Sequence, residues 1–306
     1  MNVNSRRFKA VDILLLLGMI LPLLGAIVLK VLTTPASEGI NITGAQIYFT
    51  IPMPLQPLYV TEAQVVSAAV VLTILFLCLY LTHGIAVVPN SKRQLVVEML
   101  VEKCQGMVDT NMGEYFKGFG PFVGAVMILS ALSSLSSLLG LFPPTSDINI
   151  VAGWAILVFG LITYYKLKAG FWFYAKGFAE PVPFLLPMNL ISEAATPVSM
   201  SFRHYGNILS GSIISALLAA AFAGLSNLLL GWIPFIGEIA WLRIGIPAVL
   251  SLYFDIFSGG LQAFIFATLT MMYVSGGFPQ SEFEARKAKR EAKKKAKLEA
   301  KLAKTA

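Results

Sequence analysis

The sequence predicts an all-α integral membrane protein with about six transmembrane helices. Of the 306 residues, 57% are hydrophobic and only 13% are charged, whereas soluble domains carry about 25% charged residues. Apolar stretches long enough for a helix to cross a bilayer, which takes about 20 residues, occur six times. They lie near residues 11–32, 65–88, 119–142, 149–166, 187–226 and 236–276.

The first stretch allows two interpretations. A basic start followed by an apolar run is also typical of a signal peptide, and small residues at 35–37 leave cleavage possible. However, Ile13–Leu32 is longer than the usual apolar region of about 7–15 residues, so we favour a retained helix. Residues 1–63 then form an extra N-terminal helix and an outer loop.

The later stretches differ from one another in character. Residues 90–116 mix apolar side chains such as Leu95 with Glu98 and Lys103, which is typical of an amphipathic helix at the membrane surface rather than of a span. The last two stretches exceed one simple crossing, so we expect both helices to be long and tilted.

Positive charge predicts the orientation. Lys and Arg residues precede the first stretch and follow the second, the fourth and the last, whereas segments 33–63 and 143–148 contain none. Because short loops rich in Lys and Arg stay in the cytoplasm, both termini should be cytoplasmic. Most of the net charge of +7 comes from the C-terminal part, 279–306, which we interpret as a solvated basic tail near anionic lipid.

Several kinds of chemistry lack support in the sequence. Cys78 and Cys104 give neither a disulfide framework nor metal-ligand spacing, and we find no phosphate-binding glycine loop. We therefore expect no cofactor, no metal site, no nucleic-acid partner and no catalytic residues of the chain's own.

The most informative residue is Arg203, a permanent charge inside the fifth stretch. Such a charge near the bilayer centre costs roughly 3 kcal/mol on insertion scales, so an intramembrane arginine is a candidate functional residue. Positions three, four and seven apart share one face of a helix, which places Ser199, Asn207 and Ser210 on its stripe. A second arginine, Arg243, lies near the outer start of the last stretch, where snorkelling is easy, and we interpret it as structural.

The last stretch carries a complementary charge at Asp255, which shares a face with Gly259, Gln262 and Ala263. A carboxylate inside a membrane can take up or release a proton near neutral pH. We therefore favour a role in handling protons or cations. The alternative is a structural ion pair between Asp255 and Arg203.

Two further carboxylates lie near the predicted membrane boundaries. Asp147 belongs to the turn 143–149, where it or Asn149 could cap the fourth helix, and capping alone explains the turn. Glu193, ten residues before Arg203, is a candidate for a second carboxylate in a water path.

With these residues in place, the chain resembles subunit a of the F-type ATP synthase, the membrane stator of the rotary motor. The resemblance covers about residues 64–278, which would form the ion-channel domain. It rests on the Pro-Thr-Ser-Asp-Ile-Asn turn at 144–149, on the segment 197–211 around the arginine, and on Leu-Gln-Ala-Phe-Ile-Phe within 261–273.

The resemblance implies that Arg203 faces a ring of c subunits, each with an ion-binding carboxylate. The arginine would make each incoming carboxylate release its ion, since a fixed cation favours the charged form, and it would block leakage between two offset half-channels. Arginine suits this role because it does not deprotonate in proteins. The other implied partners are peripheral-stalk b subunits, the remaining ATP synthase subunits and lipid. We expect a bacterial plasma membrane, since nothing in the sequence resembles an organelle transit peptide and the basic tail suits a cytoplasmic terminus.

The chain departs from the common family pattern at several positions. Ser212 stands where the family often has Glu or His, and Asp255 occupies a variable position, so the ionisable group of the outer half-channel would lie on the last helix. His204 replaces a leucine; it could tune the ion path, but we favour a local hydrogen bond. The candidate ion-translocation residues are Arg203, Asn207, Asp255, Gln262, Ser199, Ser212, Glu193, Asp147 and His204.

Two other functions have less support in the sequence. A secondary transporter could use an Arg–Asp pair, but transporters usually show internal repeats with broken helices, and we find no such repeat. An intramembrane enzyme would need a nucleophile–base arrangement, and the sequence shows none. The ion is H⁺ or Na⁺, a choice that depends largely on the c subunit.

Overall fold

The computed structural model describes residues 3–33, 44–54, 56–87, 91–168, 170–180, 182–232, 245, 249–250, 252–281, 283–285 and 288–289. Six helices among them are long and apolar enough to cross a membrane, which confirms the predicted fold class. These spans are Lys9–Thr33, Glu62–Thr82, Glu114–Leu139, Ile148–Lys168, Pro183–Leu230 and Tyr253–Gly276. Arg243 and most of the basic tail lie outside the described residues.

Helices make up almost all of the regular structure, as expected in lipid, where each backbone N–H and C=O must be satisfied internally. The α-helices are α1 (Val3–Thr33), α2 (Glu62–Thr82), α3 (Lys92–Met112), α4 (Gly120–Leu135), α5 (Ile148–Lys168), α6 (Phe171–Gly177), α7 (Leu186–Leu230) and α8 (Gly259–Gly276). Short 3-10 helices are Glu114–Phe119, Ser136–Leu139, Pro144–Ser146 and Pro183–Leu185, and Tyr253–Ser258 is a π-helical turn.

A small β-hairpin, which the sequence did not predict, precedes α2. Strand β1 (Ile47–Ile51) pairs antiparallel with β2 (Leu58–Thr61), and Ile51 lies opposite Leu58. Successive spans run in alternating directions, so their connections alternate between two ends of the bundle. We call the end with the β-hairpin the hairpin end, and the end with the Lys- and Arg-containing loops the basic end.

Among the residues that the structure describes, two apolar clusters join the spans. The larger one joins α3, α4, α5 and α8 through fully buried side chains such as Val108, Val123, Val158 and Met271. The smaller one lies at the hairpin end between α1 and α2, and includes Ala26, Val66, Ala69, Val70 and Leu141.

Helices α3 and α7 have the character that the sequence predicts. Helix α3 begins after Ser91, whose hydroxyl accepts a hydrogen bond from the Gln94 N–H at 3.2 Å, and it is not among the six candidate spans. Helix α7 has 45 residues and would be about 68 Å long at 1.5 Å per residue. Because the hydrocarbon core is about 30 Å thick, α7 exceeds one simple crossing.

Candidate functional site

Arg203 lies on the outside of the described bundle. Its side chain is exposed and makes no hydrogen bond or ion pair with any other described residue. Ser199 and Ser210, which share its stripe, are exposed as well. The neighbouring Phe202 and Val198 are 61% and 53% exposed, so the guanidinium stands on an apolar surface. This charge within a membrane span has no counter-ion in the described part of the chain.

Asn207 connects α7 to the π-helical turn. Its Nδ2 donates a hydrogen bond to the Ser258 hydroxyl at 2.8 Å. One turn further along α7, a Cβ added to Gly211 would lie 3.4 Å from Cδ1 of Phe254. The glycine therefore lets the turn pack directly against the helix, as expected for small residues at helix contacts in membranes.

Asp255 lies within this π-helical turn and is half-buried. Its carboxylate approaches the hydroxyl of Ser137, at the hairpin end of the third span. Arg203 makes no ion pair with Asp255 or any other described residue, so the alternative of a structural Arg–Asp pair is not realised in the described part of the chain. Local π-helical turns are frequent at functional sites of helical proteins.

His204 points into the bundle and is fully buried. Its Nε2 lies 3.3 Å from the Ser130 hydroxyl, and its ring packs edge-on against Trp154 and Phe266, with centroid distances of 6.0 and 5.5 Å. Its Nδ1 has no partner among the described residues. Buried polar atoms are normally hydrogen-bonded, so this nitrogen marks a place where a water molecule or a proton could be held.

The sequence analysis did not predict a row of hydroxyl groups on α4 and the turn after it. Ser130, Ser133 and Ser134 are buried, and Ser137 follows one turn later. The Ser134 hydroxyl lies 3.3 Å from the Thr145 hydroxyl, whereas the Ser133 Oγ has no described partner. Spacings of three, four and seven residues place hydroxyls on one helix face, and this pattern was visible in the sequence.

Asp147 caps the N-terminus of α5. Its carboxylate accepts a hydrogen bond from the Asn149 N–H at 2.9 Å, which is the capping interaction that the sequence allowed. Thr145 and Ser146, just before it, are buried at the hairpin end, and the Ser146 hydroxyl has no described partner. The turn 144–149 therefore presents several polar groups to the interior of that end.

Gln262 and Ser212 have contrasting surroundings. Gln262 on α8 is only 5% exposed, and its side-chain amide makes no hydrogen bond to another described residue. Ser212 on α7 is exposed, and its hydroxyl donates to the Leu209 carbonyl at 2.8 Å. Side-chain amides of largely buried residues normally have hydrogen-bond partners, which makes Gln262 the stronger candidate of the two for contact with water or an ion.

Glu193 lies at the basic end, away from Asp255. Its carboxylate is 2.8 Å from the Lys166 Nζ and accepts a hydrogen bond from the Tyr174 hydroxyl at 2.9 Å. Burial and the hydrogen bond to Glu193 raise the pKa of Tyr174 to about 12. These groups line a cavity of about 540 Å³, together with Asn189, Ser192 and Thr196. The cavity is large and polar enough to hold several water molecules.

The described residues contain no group of three His, Cys, Asp or Glu side chains that could hold a metal ion.

Comparison with known families gives the context for this arrangement. The sequence model of the ATP synthase A chain matches residues 64–275. The chain belongs to this family.

Known relatives agree with this membership. The chain is 32% identical over 217 residues to ATP synthase subunit a of Bacillus pumilus, covering 66% of this chain and 86% of that one. It is 34% identical over 223 residues to ATP synthase subunit a of Priestia megaterium, covering 69% and 87%. A sodium ion specific ATP synthase subunit a, from Propionigenium modestum, is 29% identical over 219 residues, covering 66% and 68%.

Family membership and the six spans together define the general role of the chain. It is a multi-pass membrane protein that takes part in ion transport and ATP synthesis, with other ATP synthase subunits as its partners. This confirms the resemblance that the sequence motifs indicated.

Proposed function

We propose that this chain conducts H⁺ or Na⁺ along two offset half-channels against a ring of c subunits, with Arg203 as the fixed stator charge. The observation that supports it is the exposure of Arg203 on an apolar face without any described partner. An intramembrane charge requires compensation, and a carboxylate of the ring would supply it. Ser199 and Asn207 would flank that contact. Each elementary charge that moves through 100 mV releases about 2.3 kcal/mol, which drives the rotation.

The half-channel at the hairpin end would follow the hydroxyl face of α4. Starting from the turn with Asp147, ions would pass Thr145 and Ser134 to reach Asp255 near Ser137. Gln262 and His204 lie further toward Arg203, and each keeps polar capacity that no described residue satisfies. Hydroxyl, amide and imidazole groups can each solvate a cation or pass on a proton.

The half-channel at the basic end would use the cavity beside Glu193. The Glu193 carboxylate in this cavity is paired with Lys166. It would therefore line the path as a polar group and would not bind a cation tightly. Ser212 is exposed on α7 and follows Arg203 along the helix, whereas Glu193 precedes it. In this proposal Ser212 lines the ring contact without titrating.

The orientation and the division of the chain belong to the same proposal. The basic end would face the bacterial cytoplasm together with both termini, since Lys and Arg concentrate there. Residues 64–278 would be the ion-channel domain, preceded by the extra helix and loop (1–63) and followed by the basic tail (279–306). The remaining surface would contact lipid and the peripheral-stalk b subunits.

The decisive experiment is ATP-driven ion pumping in vesicles that contain the whole complex, with and without Na⁺. We expect Arg203→Ala to abolish pumping while the subunit stays inserted, and dependence of native pumping on Na⁺ would identify the ion. Ser210→Ala, an exposed change on the same stripe, is the matched control and should keep pumping. Normal pumping by Arg203→Ala would contradict the proposal.

A second experiment concerns Asp255. If Asp255 takes up the ion, Asp255→Asn should slow ion flux much more than it reduces assembly of the complex. Flux should be measured across a range of pH, because a titrating group changes the pH profile as well as the rate. An unchanged flux at every pH would mean that Asp255 is structural.

A further inference from the structure

We propose that helix α1 positions the hairpin-end turn of the ion path through an ion pair between Lys30 and Glu62. Both are then positioning residues for the uptake of ions at that end. This inference rests on the proposed function, since it assumes that ions pass the turn 144–149. It assigns a role to a part of the chain that lies outside the family match at 64–275.

Glu62 is the buried member of the pair. It begins α2 and is 3% exposed. Its Oε1 lies 2.8 Å from the Lys30 Nζ and accepts a hydrogen bond from the Phe142 N–H at 2.9 Å. A buried carboxylate is tolerated only when it is paired and hydrogen-bonded. Glu62 therefore needs both of these contacts to stay buried in this position.

Lys30 holds the other side of the same short segment. Its Nζ also donates a hydrogen bond to the Gly140 carbonyl at 2.7 Å. Gly140 ends the preceding 3-10 helix with φ 72°, in the left-handed region that favours glycine. Between Gly140 and Phe142, the side chain of Leu141 is buried in the hairpin-end cluster against α1 and α2. One lysine and one glutamate thus fix segment 140–142 at both of its ends.

Segment 140–142 leads directly into the turn of the proposed ion path. Pro143 follows it, then the 3-10 helix Pro144–Ser146, and then the α5 cap Asp147. The Thr145 hydroxyl in that 3-10 helix faces Ser134 on α4. A displacement of segment 140–142 would therefore change where Thr145 and Asp147 lie relative to the hydroxyl face, although neither touches Lys30.

The opposite end of α1 provides an internal control. There Asp12 lies 2.9 Å from the His83 Nδ1 and 3.3 Å from the Arg93 guanidinium. Midway, the Thr73 hydroxyl donates to the Met19 carbonyl at 3.1 Å. Helix α1 is thus attached to α2 along its length, but only its hairpin end reaches the turn. General loosening of α1 and displacement of the turn can be separated by changing one end at a time.

The test uses the complete complex in vesicles, with ATP synthesis driven by an imposed gradient of H⁺ or of Na⁺. Lys30→Met should raise the half-saturating concentration of the driving ion on the hairpin side by about tenfold, because it leaves Glu62 buried and unpaired. The maximal rate should change little. Lys30→Arg, which keeps the charge and the donors, should restore the native half-saturation, and Asp12→Asn should leave it unchanged.

The outcomes separate this inference from the proposed function. If Lys30→Met does not assemble, Glu62→Gln carries the test. Its amide oxygen can still accept from Phe142, which favours assembly, whereas loss of the charge removes the ion pair with Lys30 and should raise the half-saturating concentration in the same direction. Native half-saturation in these variants, or an equal increase in Asp12→Asn, would overturn the positioning role. Loss of pumping in Arg203→Ala alongside such a result would leave the proposed function intact and reject this inference alone.

Discussion

Lys30 and Arg203 are both basic side chains on membrane-spanning helices, and they differ in what surrounds them. Lys30 is 30% exposed as a side chain and contacts Glu62 and Gly140. Arg203 is exposed and contacts no described group with opposite charge. Because charge in hydrocarbon needs compensation, Lys30 has its counter-ion within the described chain, whereas Arg203 has none among the described residues.

This contrast separates two uses of charge within one membrane domain. A cation with its counter-ion on a neighbouring helix fixes the backbone on both sides of the contact, as Lys30 does for segment 140–142. A cation without a described counter-ion, such as Arg203, can exchange partners, as the proposed stator role would need. The number of charged residues in the spans does not distinguish these uses, but their partners do.

The largest expected effect on stability follows directly from this contrast. Glu62→Ala removes a buried pair and should lower the free energy of unfolding by about 2 kcal/mol, since Lys30 is partly exposed and regains some hydration. Arg203→Ala should change it by less than about 0.5 kcal/mol, because no hydrogen bond or ion pair with a described residue is lost. Denaturant unfolding of the purified subunit in detergent measures both. Equal losses would mean that Arg203 has an internal partner after all.

A second prediction tests the packing that brings the hydroxyl face of α4 to α8. A Cβ added to Gly259 would lie 2.8 Å from the Ser134 Cβ, whereas nothing lies within 4 Å of a Cβ added to Gly260. Gly259→Ala should therefore cost about 1.5 kcal/mol through overpacking, and it should also slow ion flux. Gly260→Ala is the matched control and should be neutral in both assays. If the two substitutions behave alike, α4 and α8 are not in close contact.

Much of this fold could be predicted from sequence because lipid leaves few alternatives to helices. All six spans followed from apolar length, and the Arg203 stripe followed from helical spacing. What could not be predicted depends on contacts between distant parts of the chain. In the sequence, Glu62 is an ordinary acidic residue in the first turn of a helix. Its contacts with Lys30 and Phe142 become known only from the structure.

Local irregularities were also missed, for a different physical reason. The two hairpin strands are rich in β-branched and aromatic residues, a composition typical of strands, but they lack the regular alternation of polar and apolar residues that would have set them apart from other apolar segments. The π-helical turn around Asp255 has the composition of an ordinary span, because its extra residue changes the register and not the hydrophobicity. The hydroxyl face of α4 was visible, but serines in a membrane helix are commonly only packing residues.

A third prediction concerns the hydrogen bond that joins Asn207, on the same helix face as Arg203, to the last span. Asn207→Ala loses the 2.8 Å hydrogen bond to Ser258 and should cost about 1 kcal/mol. Ser258→Ala should cost a similar amount, and the double variant should cost less than the sum of the two. The coupling can be read from unfolding of the three variants under one set of conditions. Strict additivity would show that the two side chains do not interact.

The smallest effect is expected at the basic end, where Tyr174 donates to Glu193. Tyr174→Phe should cost about 0.5 kcal/mol, since the hydroxyl is partly accessible to water. The pKa of about 12 for Tyr174 exceeds the ordinary value near 10, so the hydroxyl stays protonated longer in the folded chain. Its contribution to stability should be full below pH 10 and should disappear as the pH rises toward 12. Tyr164→Phe, at an exposed tyrosine of α5, is the control. The unfolding free energies should be compared between about pH 9, below the ordinary tyrosine pKa, and about pH 12, at the raised value. If the native chain and Tyr174→Phe lose equal stability over this range, then Tyr174 is not bonded to Glu193.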